Sequence, residues 1–490
     1  MVKVAVVGAT GNVGREMLQT LAQRNFPAEK VFAVASARSA GKEVSFGDDE
    51  VLKVHDLEKF DFNGIDIALM SAGGSVSEKY APKIAAAGCV VIDNSSQWRM
   101  DPDVPLVVPE VNPEAIAGYK KKNIIANPNC STIQMVVPLA ALHKAFHVKR
   151  VVVTTYQSVS GAGKAAMDEL FDQTKGVYWG EDVSKTQNKF PKQIAFNVIP
   201  HIDVFLDDGS TKEEWKMTVE TKKIVDPKIK VHANCARVPV FVGHAEYVNI
   251  ETEKEISDKD ATFVLKKTPG VTVLDTREAG GYPTQAEIAG EDDVFVSRIR
   301  SDATIDNGLS FWCVVTTYQS VSGAGKAAMD ELFDQTKGVY WGEDVSKTQN
   351  KFPKQIAFNV IPHIDVFLDD GSTKEEWKMT VETKKIVDPK IKVHANCARV
   401  PVFVGHAEYV NIETEKEISD KDATFVLKKT PGVTVLDTRE VVLPPQPARQ
   451  SRPYHRNHRY GEVIYFCLWL SEERRRETGA NPAAFLSAES

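Results

Sequence analysis

The chain has 490 residues, of which 42% are hydrophobic and 26% charged, a globular composition that excludes disorder as its main state. Its net charge of −7 gives no electrostatic case for binding nucleic acid, and without an apolar run of about 18 residues no membrane span is predicted. Six cysteines are too few for a disulfide scaffold, and the N-terminus lacks signal-peptide features, so we expect a cytoplasmic protein.

The first predicted elements, a strand over 2–7 and a helix over 15–22, flank the glycine turn GATGNVG. An apolar strand and a one-sided helix are the context that a dinucleotide-binding fingerprint requires. Gly8, Gly11 and Gly14 would let the backbone approach a pyrophosphate, and the helix N-terminus offers N–H groups to the anion. The alternative is a simple tight turn.

The end of the second predicted strand, over 30–36, indicates which cofactor binds. Proteins that select NAD usually place Asp or Glu there, on the ribose 2′-OH. Here the chain continues instead into Ala37, Arg38 and Ser39. A cation and a hydroxyl suit a 2′-phosphate, so NADP is favoured. The alternative is that Arg38 is a solvated surface side chain.

Further strands are predicted at 65–70, 90–93 and 123–126, with an Ala-rich helix over 77–87 between the first two. Pro82 either kinks this helix or marks its true start. The alternation of strands and helices predicts an α/β fold with a Rossmann-type, doubly wound parallel sheet.

The segment NPNCST joins a strand to an apolar helix over 133–146, which places Cys130 near a helix N-terminus. The helix dipole there can lower the thiol pKa and increase the thiolate fraction. A reactive thiolate beside a dinucleotide fold predicts attack on an aldehyde, hydride transfer to a nicotinamide, and a thioester. The alternative, an inert buried thiol, is the interpretation that we favour for Cys89.

Six motifs occur in order over about residues 1–313: GATGNVG, SSQWRM, NPNCST, TYQSVSGAGK, EEWK and ARVPVFVGHAE. Together they resemble the aspartate-semialdehyde dehydrogenases. The resemblance implies reversible, NADP-dependent reductive dephosphorylation of aspartyl 4-phosphate to aspartate semialdehyde, in the synthesis of lysine (through diaminopimelate), threonine, methionine and isoleucine. It also implies a Rossmann domain followed by an α+β catalytic and dimerisation domain, and assembly as a homodimer or homotetramer. An N-acetyl-glutamyl-phosphate type of reductase is the related alternative.

The resemblance also implies roles for individual residues. Cys130 would carry the acyl thioester, Gln157 would hold the substrate beside it, and His244 would be the general acid/base. Arg237 would bind the substrate carboxylate. The phosphate would be bound by Arg99 and Lys216. The expected NADP contacts are Gly8, Thr10, Gly11, Asn12, Val13, Gly14, Arg38, Ser39, Ser160 and Gly161. Alone, His244 could equally be a packed strand histidine, and Lys216 a solvated charge.

Two further motifs are rejected. SVSGAGKA over 158–165 resembles a P-loop but has Ser158 in place of the first glycine and Ala165 in place of the final Ser/Thr. His232 and Cys235 have a metal-like spacing, but no second pair lies nearby in the sequence. We therefore predict no metal site.

A long internal repeat dominates the second half of the chain. Residues 152–278 recur without a mismatch as 314–440. The predicted domains are therefore a cofactor domain over 1–127, a catalytic domain over 128–313, a partial duplicate over 314–440, and an irregular Arg-rich tail over 441–490. The tail contains the short apolar stretch VIYFCLWL, and we find no equivalent of the C-terminal helix that the resemblance implies.

The duplicate carries Gln319, Lys378, Arg399 and His406 at the repeated positions but lacks a preceding NPNCST. It therefore cannot form a second independent active site. It could compete with the first copy for strand pairing, pack as an internal mimic of a dimer partner, or stay loosely folded. An inactive chimera that retains only NADP binding is the alternative to an active enzyme.

Overall fold

The computed structural model describes residues 2–47, 50–183, 186, 189–288, 291–314, 332, 334–339, 345, 352–403, 405–436 and 464–469. Its strands are β1 (Val2–Val7), β2 (Ala28–Ala35), β3 (Glu43–Phe46), β4 (Glu50–Asp56), β5 (Ile67–Met70), β6 (Val90–Asp93), β7 (Ile124–Ala126), β8 (Val148–Gln157), β9 (Lys230–Arg237), β10 (His244–Thr252), β11 (Val271–Val273), β12 (Val294–Asp302), β13 (Gly308–Cys313), β14 (His406–Asn411) and β15 (Ile464–Trp469).

The α-helices are α1 (Asn12–Gln23), α2 (Gly74–Ala86), α3 (Cys130–Phe146), α4 (Lys164–Trp179), α5 (Lys212–Ile224), α6 (Asp258–Leu265), α7 (Gln285–Ile288), α8 (Lys374–Ile386) and α9 (Asp420–Lys429). Short 3₁₀ helices occur at Ala37–Ser39, Pro113–Lys121 and Val159–Ala162. The chain divides into a larger unit, 1–404, and a smaller unit, 405–490. The domain boundaries predicted from the sequence remain predictions.

The N-terminal sheet has the strand order β3-β4-β2-β1-β5-β6-β7. All neighbouring pairs are parallel except β3 with β4, which is antiparallel. The predicted doubly wound parallel sheet is thus confirmed. The sequence analysis did not predict β3 and β4, in which polar residues interrupt the apolar ones, so that the continuous apolar run of a central strand is missing. Pro82 lies inside α2, which begins at Gly74, so the proline does not mark the helix start.

The second sheet has the strand order β11-β12-β13-β10-β8-β9. At its centre, β10 runs antiparallel to both β8 and β13, while β8 and β9 are parallel. Helices α3, α5 and α6 pack against this sheet. Strand β8 is almost wholly buried, and its C-terminal end at Gln157 lies deep in the protein.

The duplicate is divided between the two units. In the larger unit, residues 352–403 keep local contacts of the first copy: a capping box at Thr373 repeats that at Thr211, and the bridge of Ile361 with Arg399 repeats that of Ile199 with Arg237. The residues that repeat β9, however, form no strand.

In the smaller unit, β14 pairs in parallel with β15 of the tail. Residues Ile464–Trp469 of the apolar stretch in the tail thus form a strand, because their backbone groups pair with those of β14. The Arg-rich stretches on either side of β15 lie outside the described residues.

Candidate active site

Three of the predicted site residues lie in one row across the second sheet. In the strand register, Gln157 on β8 is paired with Arg237 on β9 and with His244 on β10. Gln157 and Arg237 are the last residues of their strands, and His244 is the first residue of the antiparallel β10, so the three lie side by side although Gln157 is remote from the other two in sequence. The sheet thus brings together a guanidinium, an amide and an imidazole.

Cys130 is the first residue of α3, which confirms its predicted place at a helix N-terminus. The side-chain oxygen of Asn129 caps this helix by accepting hydrogen bonds from the backbone N–H groups of Ser131 (3.0 Å) and Thr132 (3.2 Å). The backbone N–H of Asn129 donates to Glu220 at 2.6 Å. The turn before Cys130 is therefore fixed by hydrogen bonds both to the start of α3 and to Glu220.

Glu213 connects this turn to the row on the sheet. Its Oε1 accepts hydrogen bonds from Asn129 Nδ2 (2.8 Å) and Gln157 Nε2 (3.1 Å), and its Oε2 lies 3.0 Å from Lys216 Nζ. Burial alone would raise the pKa of Glu213, but Lys216 and the amide donors outweigh it and lower the pKa. The sequence analysis missed Glu213, although the motif EEWK places it and Lys216 on one helix face.

The two cations predicted to bind phosphate are both paired with carboxylates. Arg99 is buried, with Nη1 3.0 Å from Glu220 Oε1 and Nη2 donating to the carbonyl of Asn94 at 3.0 Å. Its buried Nε has no hydrogen-bond partner among the described residues. Lys216 contacts Asp203 at 2.7 Å as well as Glu213. Glu220 is a second residue that the sequence analysis missed.

The thiol of Cys130 has a raised pKa, about 12, the opposite of the predicted shift. By solvent-accessible surface the residue is exposed, yet it lies in a densely packed site. Burial by the surrounding protein atoms is the largest cause of the raised pKa. The carboxyl groups of Glu213 and Glu246 raise the pKa further, whereas Arg237 lowers it. The helix dipole therefore does not dominate, because nearby negative charge and lost hydration both favour the neutral thiol.

His244 is held by the segment after β8. Its Nδ1 accepts a hydrogen bond from the backbone N–H of Ser158 at 3.2 Å and lies 3.1 Å from Ser158 Oγ. Burial, helped by Arg237, lowers the pKa of His244 to about 4, so the ring is neutral at pH 7. An acceptor at Nδ1 assigns the proton of the neutral ring to Nε2. That nitrogen faces Gly161, where an added Cβ would lie 3.6 Å from Nε2 and 3.8 Å from Arg237 Nη1.

The glycine turn after β1 is shaped for close backbone packing. Gly8 has a φ of +92°, and a Cβ there would lie 2.4 Å from the carbonyl oxygen of Ser71. A Cβ on Gly14 would lie 2.2 Å from the carbonyl oxygen of Gly8. Gly11 precedes α1 without a side-chain cap, and no acidic residue lies in the first turn, so the helix N-terminus is left for an anion. Asn12 and the exposed Val13 begin α1.

The other predicted cofactor residues fall in two places. Thr10 Oγ1 lies 3.5 Å from Ser39 Oγ, which connects the glycine turn to the short helix after β2 where Arg38 is exposed. Ser160 and Gly161 belong to the 3₁₀ helix after β8, and the backbone N–H of Ser160 donates to the carbonyl of Phe241 at 3.1 Å. The first group lies on the cofactor domain, and the second adjoins His244.

The duplicate repeats only part of this arrangement. Lys378 contacts Asp365 (3.1 Å) and Glu375 (3.0 Å), as Lys216 contacts Asp203 and Glu213. Gln319 lies outside the described residues, and His406 belongs to the smaller unit. Within the described residues, no three His, Cys, Asp or Glu side chains form a candidate metal site, and no helix has the length and apolarity to cross a bilayer.

Two family models match the chain. The model described as semialdehyde dehydrogenase, NAD binding domain, matches residues 3–119. The model described as semialdehyde dehydrogenase, dimerisation domain, matches twice, at residues 139–315 and 313–455. The matches therefore support a nicotinamide cofactor and a domain of the self-associating type, and they extend over both copies of the repeat.

Known proteins give the same result. The aspartate-semialdehyde dehydrogenase of Aquifex aeolicus is 54% identical over 332 residues, which are 67% of this chain and 97% of that protein. A crystal structure of aspartate semialdehyde dehydrogenase II from Vibrio cholerae is similar with a TM-score of 0.61 and 50% identity, over 63% of this chain and 91% of that one. A structure of the same enzyme complexed with ASA has a TM-score of 0.61 and 49% identity, over 64% of this chain and 92% of that one.

Proposed function

The chain belongs to the aspartate-semialdehyde dehydrogenase family, and we propose that its first copy catalyses the reaction through Cys130 with NADP as cofactor. The reaction converts aspartyl 4-phosphate to aspartate 4-semialdehyde, reversibly, on the way to lysine, threonine, methionine and isoleucine. One observation carries the proposal: Glu213 joins the turn at Cys130 to the row of Arg237, Gln157 and His244. That link gives a nucleophile, a substrate clamp and a proton donor in one site.

The residues of the glycine turn fit a dinucleotide. The closely packed Gly8 and Gly14, with the uncapped start of α1, leave backbone N–H groups for a pyrophosphate. Arg38 and Ser39 supply a cation and a hydroxyl after β2, where an acidic residue would select NAD, which supports NADP. The nicotinamide, when bound, supplies or accepts the hydride.

In the direction of aldehyde synthesis, Cys130 attacks the acyl carbon of aspartyl phosphate. The bond from carbon to sulfur forms, the bond from carbon to the phosphate oxygen breaks, and the thiol proton leaves with the phosphate. Arg237 orients the substrate carboxylate through its planar guanidinium, and Arg99 is the cation proposed to bind the phosphate. With a thiol pKa of about 12, Cys130 is a neutral thiol in the free protein at pH 7, so it gives up its proton as it attacks.

In the second half of the reaction, the thioester carbon would receive a hydride from a bound nicotinamide, and the carbonyl oxygen would become negative. His244 Nε2–H is the donor assigned to this oxygen, since Nδ1 is held by Ser158. When the tetrahedral centre collapses, the carbon–sulfur bond breaks, the aldehyde forms and Cys130 regains a proton. Gln157, fixed by Glu213 and by Thr155 at 3.3 Å, keeps the acyl group against the sulfur.

The connecting role of Glu213 can be tested with a control that the repeat supplies. We expect Glu213→Gln to lower kcat/KM about 100-fold, because misplacing reacting groups by about 1 Å costs this much. Glu375→Gln makes the same change in the duplicate and is expected to leave kcat/KM unchanged. Steady-state kinetics with aspartate semialdehyde, phosphate and NADP measure both. Equal losses in the two variants would contradict a single active site built on the first copy.

The choice of NADP can be tested at Arg38. We expect Arg38→Ala to raise KM for NADP about 10–100-fold, since a hydrogen bond to a charged group contributes about 1.5–3 kcal/mol, while KM for NAD changes little. Arg24→Ala, at the opposite end of α1, is the control and is expected to leave both constants unchanged. If Arg38→Ala weakened NAD and NADP equally, Arg38 would not contact the 2′-phosphate.

Two further parts of the proposal concern the setting of the enzyme. Five cysteines in the described part of the chain are free, namely Cys89, Cys130, Cys235, Cys313 and Cys397, which supports a reducing cytoplasm. We propose that this chain forms a homodimer or homotetramer through its dimerisation domain when the self-association surface of that domain is free. The alternatives of an inactive chimera or an N-acetyl-glutamyl-phosphate type of reductase have no specific observation in their favour.

A further inference from the structure

One face of the second sheet is covered by part of the duplicate. We define the covered face by Tyr247, Arg298, Arg300, Ser310 and Trp312 of β10, β12 and β13, and the docked segment as residues 352–403. Tyr247 is paired with Trp312 in the strand register, so their side chains lie on the same face. Helix α3 contacts the same sheet through β10 and β12, and Glu246, beside Tyr247, points to the other face.

A buried ion cluster holds the docked segment on this face. Glu376 Oε2 lies 2.8 Å from Arg298 Nη2 and 2.6 Å from Arg300 Nη1, and all three side chains are at most 4% exposed. Glu376 also accepts a hydrogen bond from the backbone N–H of Cys397 at 2.9 Å, as Glu214 does from Cys235 in the first copy. The pKa of Glu376 is lowered to about 2 by the two arginines, whereas burial raises that of Glu214. Within the part of the chain that the structure describes, this carboxylate has a pair of arginines in the duplicate but not in the first copy.

A second set of polar contacts runs along β13. Trp312 Nε1 donates to Asn396 Oδ1 at 3.1 Å, and Ser310 Oγ lies 2.7 Å from His394 Nε2. The ring of His394 is stacked on that of Tyr247, with the centroids 6.3 Å apart. Asn396 and His394 repeat Asn234 and His232 of β9, so residues that form an edge strand in the first copy cover a sheet face in the second.

The apolar core between the copies has two-fold reciprocity. Phe241 packs on Phe358 with ring centroids 4.7 Å apart, and Phe196 packs on Phe403 at 4.5 Å. Phe358 and Phe403 are the repeats of Phe196 and Phe241. Exchanging the two copies therefore converts each of these two contacts into the other. The buried cluster also contains five repeated pairs: Leu170 with Leu332, Phe190 with Phe352, Ile194 with Ile356, Ala195 with Ala357, and Ile199 with Ile361.

Reciprocity of this kind is the signature of an isologous interface, in which residue i contacts j and j contacts i. From it, we propose that the covered face is a self-association surface whose partner is residues 190–241 of a second copy of this chain, and that the docked segment occupies this surface within the chain. The docked segment repeats residues 190–241 exactly in sequence. Residues 190–241 of a second chain can therefore bind the covered face only when the docked segment is released from it.

Half of a complete two-fold interface is missing. The duplicate ends at residue 440, so it repeats nothing beyond 278 and contains no counterparts of Arg298, Arg300, Ser310 or Trp312. Among the described residues Glu214 therefore has no cation pair. Residues 190–241 pack on the docked segment through their apolar side chains, but they have no covered face to bind within their own chain. Because the one covered face is already filled, the intact protein is expected to be a monomer.

The molar mass of the full-length protein, measured by light scattering at micromolar concentration, tests the proposal. The wild type is expected to be a monomer. Glu376→Gln leaves two buried arginines without their carboxylate and is expected to favour release of the segment by roughly two to three orders of magnitude, which yields dimers. Glu214→Gln, the matched change in the first copy, is expected to remain a monomer, because its covered face stays filled.

The double variant distinguishes the partner. With Glu214→Gln and Glu376→Gln together, the face is released but the incoming segment also lacks its carboxylate, so monomers are expected again. A wild-type dimer, or a dimer of the double variant, would overturn the proposal.

Hydrogen exchange over residues 294–313, whose sequence occurs once, reports release separately from dimerisation. Adding Asn396→Leu to Glu376→Gln removes a further contact, so a face that stays protected in both variants contradicts the role of these contacts. A face that is released while the protein stays a monomer also overturns the proposal.

Discussion

Cys130→Ser is expected to reduce kcat for phosphate-dependent oxidation of aspartate semialdehyde by at least about 10⁴-fold, the scale seen when an enzyme loses its nucleophile. A serine keeps the shape of the side chain, but its hydroxyl is a far weaker nucleophile than the thiol. The fold is expected to be unchanged, because the helix cap depends on Asn129 and not on the thiol. Steady-state kinetics together with NADP binding measured by fluorescence would separate lost chemistry from lost cofactor.

Cys89→Ala is the control for this experiment. Cys89 is fully buried in the cofactor domain, and burial raises its thiol pKa to about 12, without catalytic partners around it. We expect its kcat to stay within a factor of about two of the wild type, although a small loss of stability is expected from the removed side chain. Comparable losses of activity in the two variants would show that Cys130 has no special role.

His244→Ala is expected to lower kcat about 10²–10⁴-fold, the usual contribution of a positioned proton donor. The matched variant His406→Ala changes the duplicate and is expected to have no effect on kcat. Comparing His244→Ala with His406→Ala therefore shows which copy performs the reaction without changing the nucleophile. Loss of activity in His406→Ala would contradict an active site confined to the first copy.

The pH profile gives a second check on His244. Its pKa is lowered to about 4 in the folded protein, because burial and Arg237 disfavour the charged ring. The imidazole is thus neutral from about pH 5 upward and gains charge only as the pH falls towards 4. We expect no inflection of kcat/KM between pH 6 and 7 from this residue, and an inflection there that disappears in His244→Ala would contradict the assignment.

The cofactor domain could be predicted from the sequence because its signals are local. A buried strand, a glycine turn and a one-sided helix are neighbours along the chain, and the parallel strands that follow are continuous apolar runs. The prediction failed at β3, which lies at the sheet edge, and at β4 beside it, where four of the seven residues are exposed. Edge strands need less apolar surface, so their pattern resembles that of a polar loop.

The active site was only partly predictable, since its geometry depends on pairing between distant strands. The motifs identified Gln157, Arg237 and His244, but only the strand register places them side by side. Glu213 and Glu220 were missed because a Glu in a charged helix usually faces solvent. The direction of the thiol pKa shift was also wrong, because the carboxyl groups near Cys130 come from α5 and β10, which are remote in sequence.

The duplicate illustrates how context determines the structure of a sequence. Residues 230–237 form β9 between β8 and the helix α5, whereas their repeat, 392–399, lies over the covered face without forming a strand. Local contacts such as the capping boxes at Thr211 and Thr373 are the same in both copies, because they need only neighbouring residues. Strand formation requires a partner, which the sequence of the segment alone cannot supply.

The most direct test of the central claim is the initial rate of NADPH formation by the purified full-length protein, with aspartate semialdehyde, with and without phosphate. If the first copy forms a complete active site beside the docked segment, turnover with NADP is expected and requires phosphate to release the acyl group from Cys130. A folded protein that binds NADP but shows no phosphate-dependent turnover would contradict the claim.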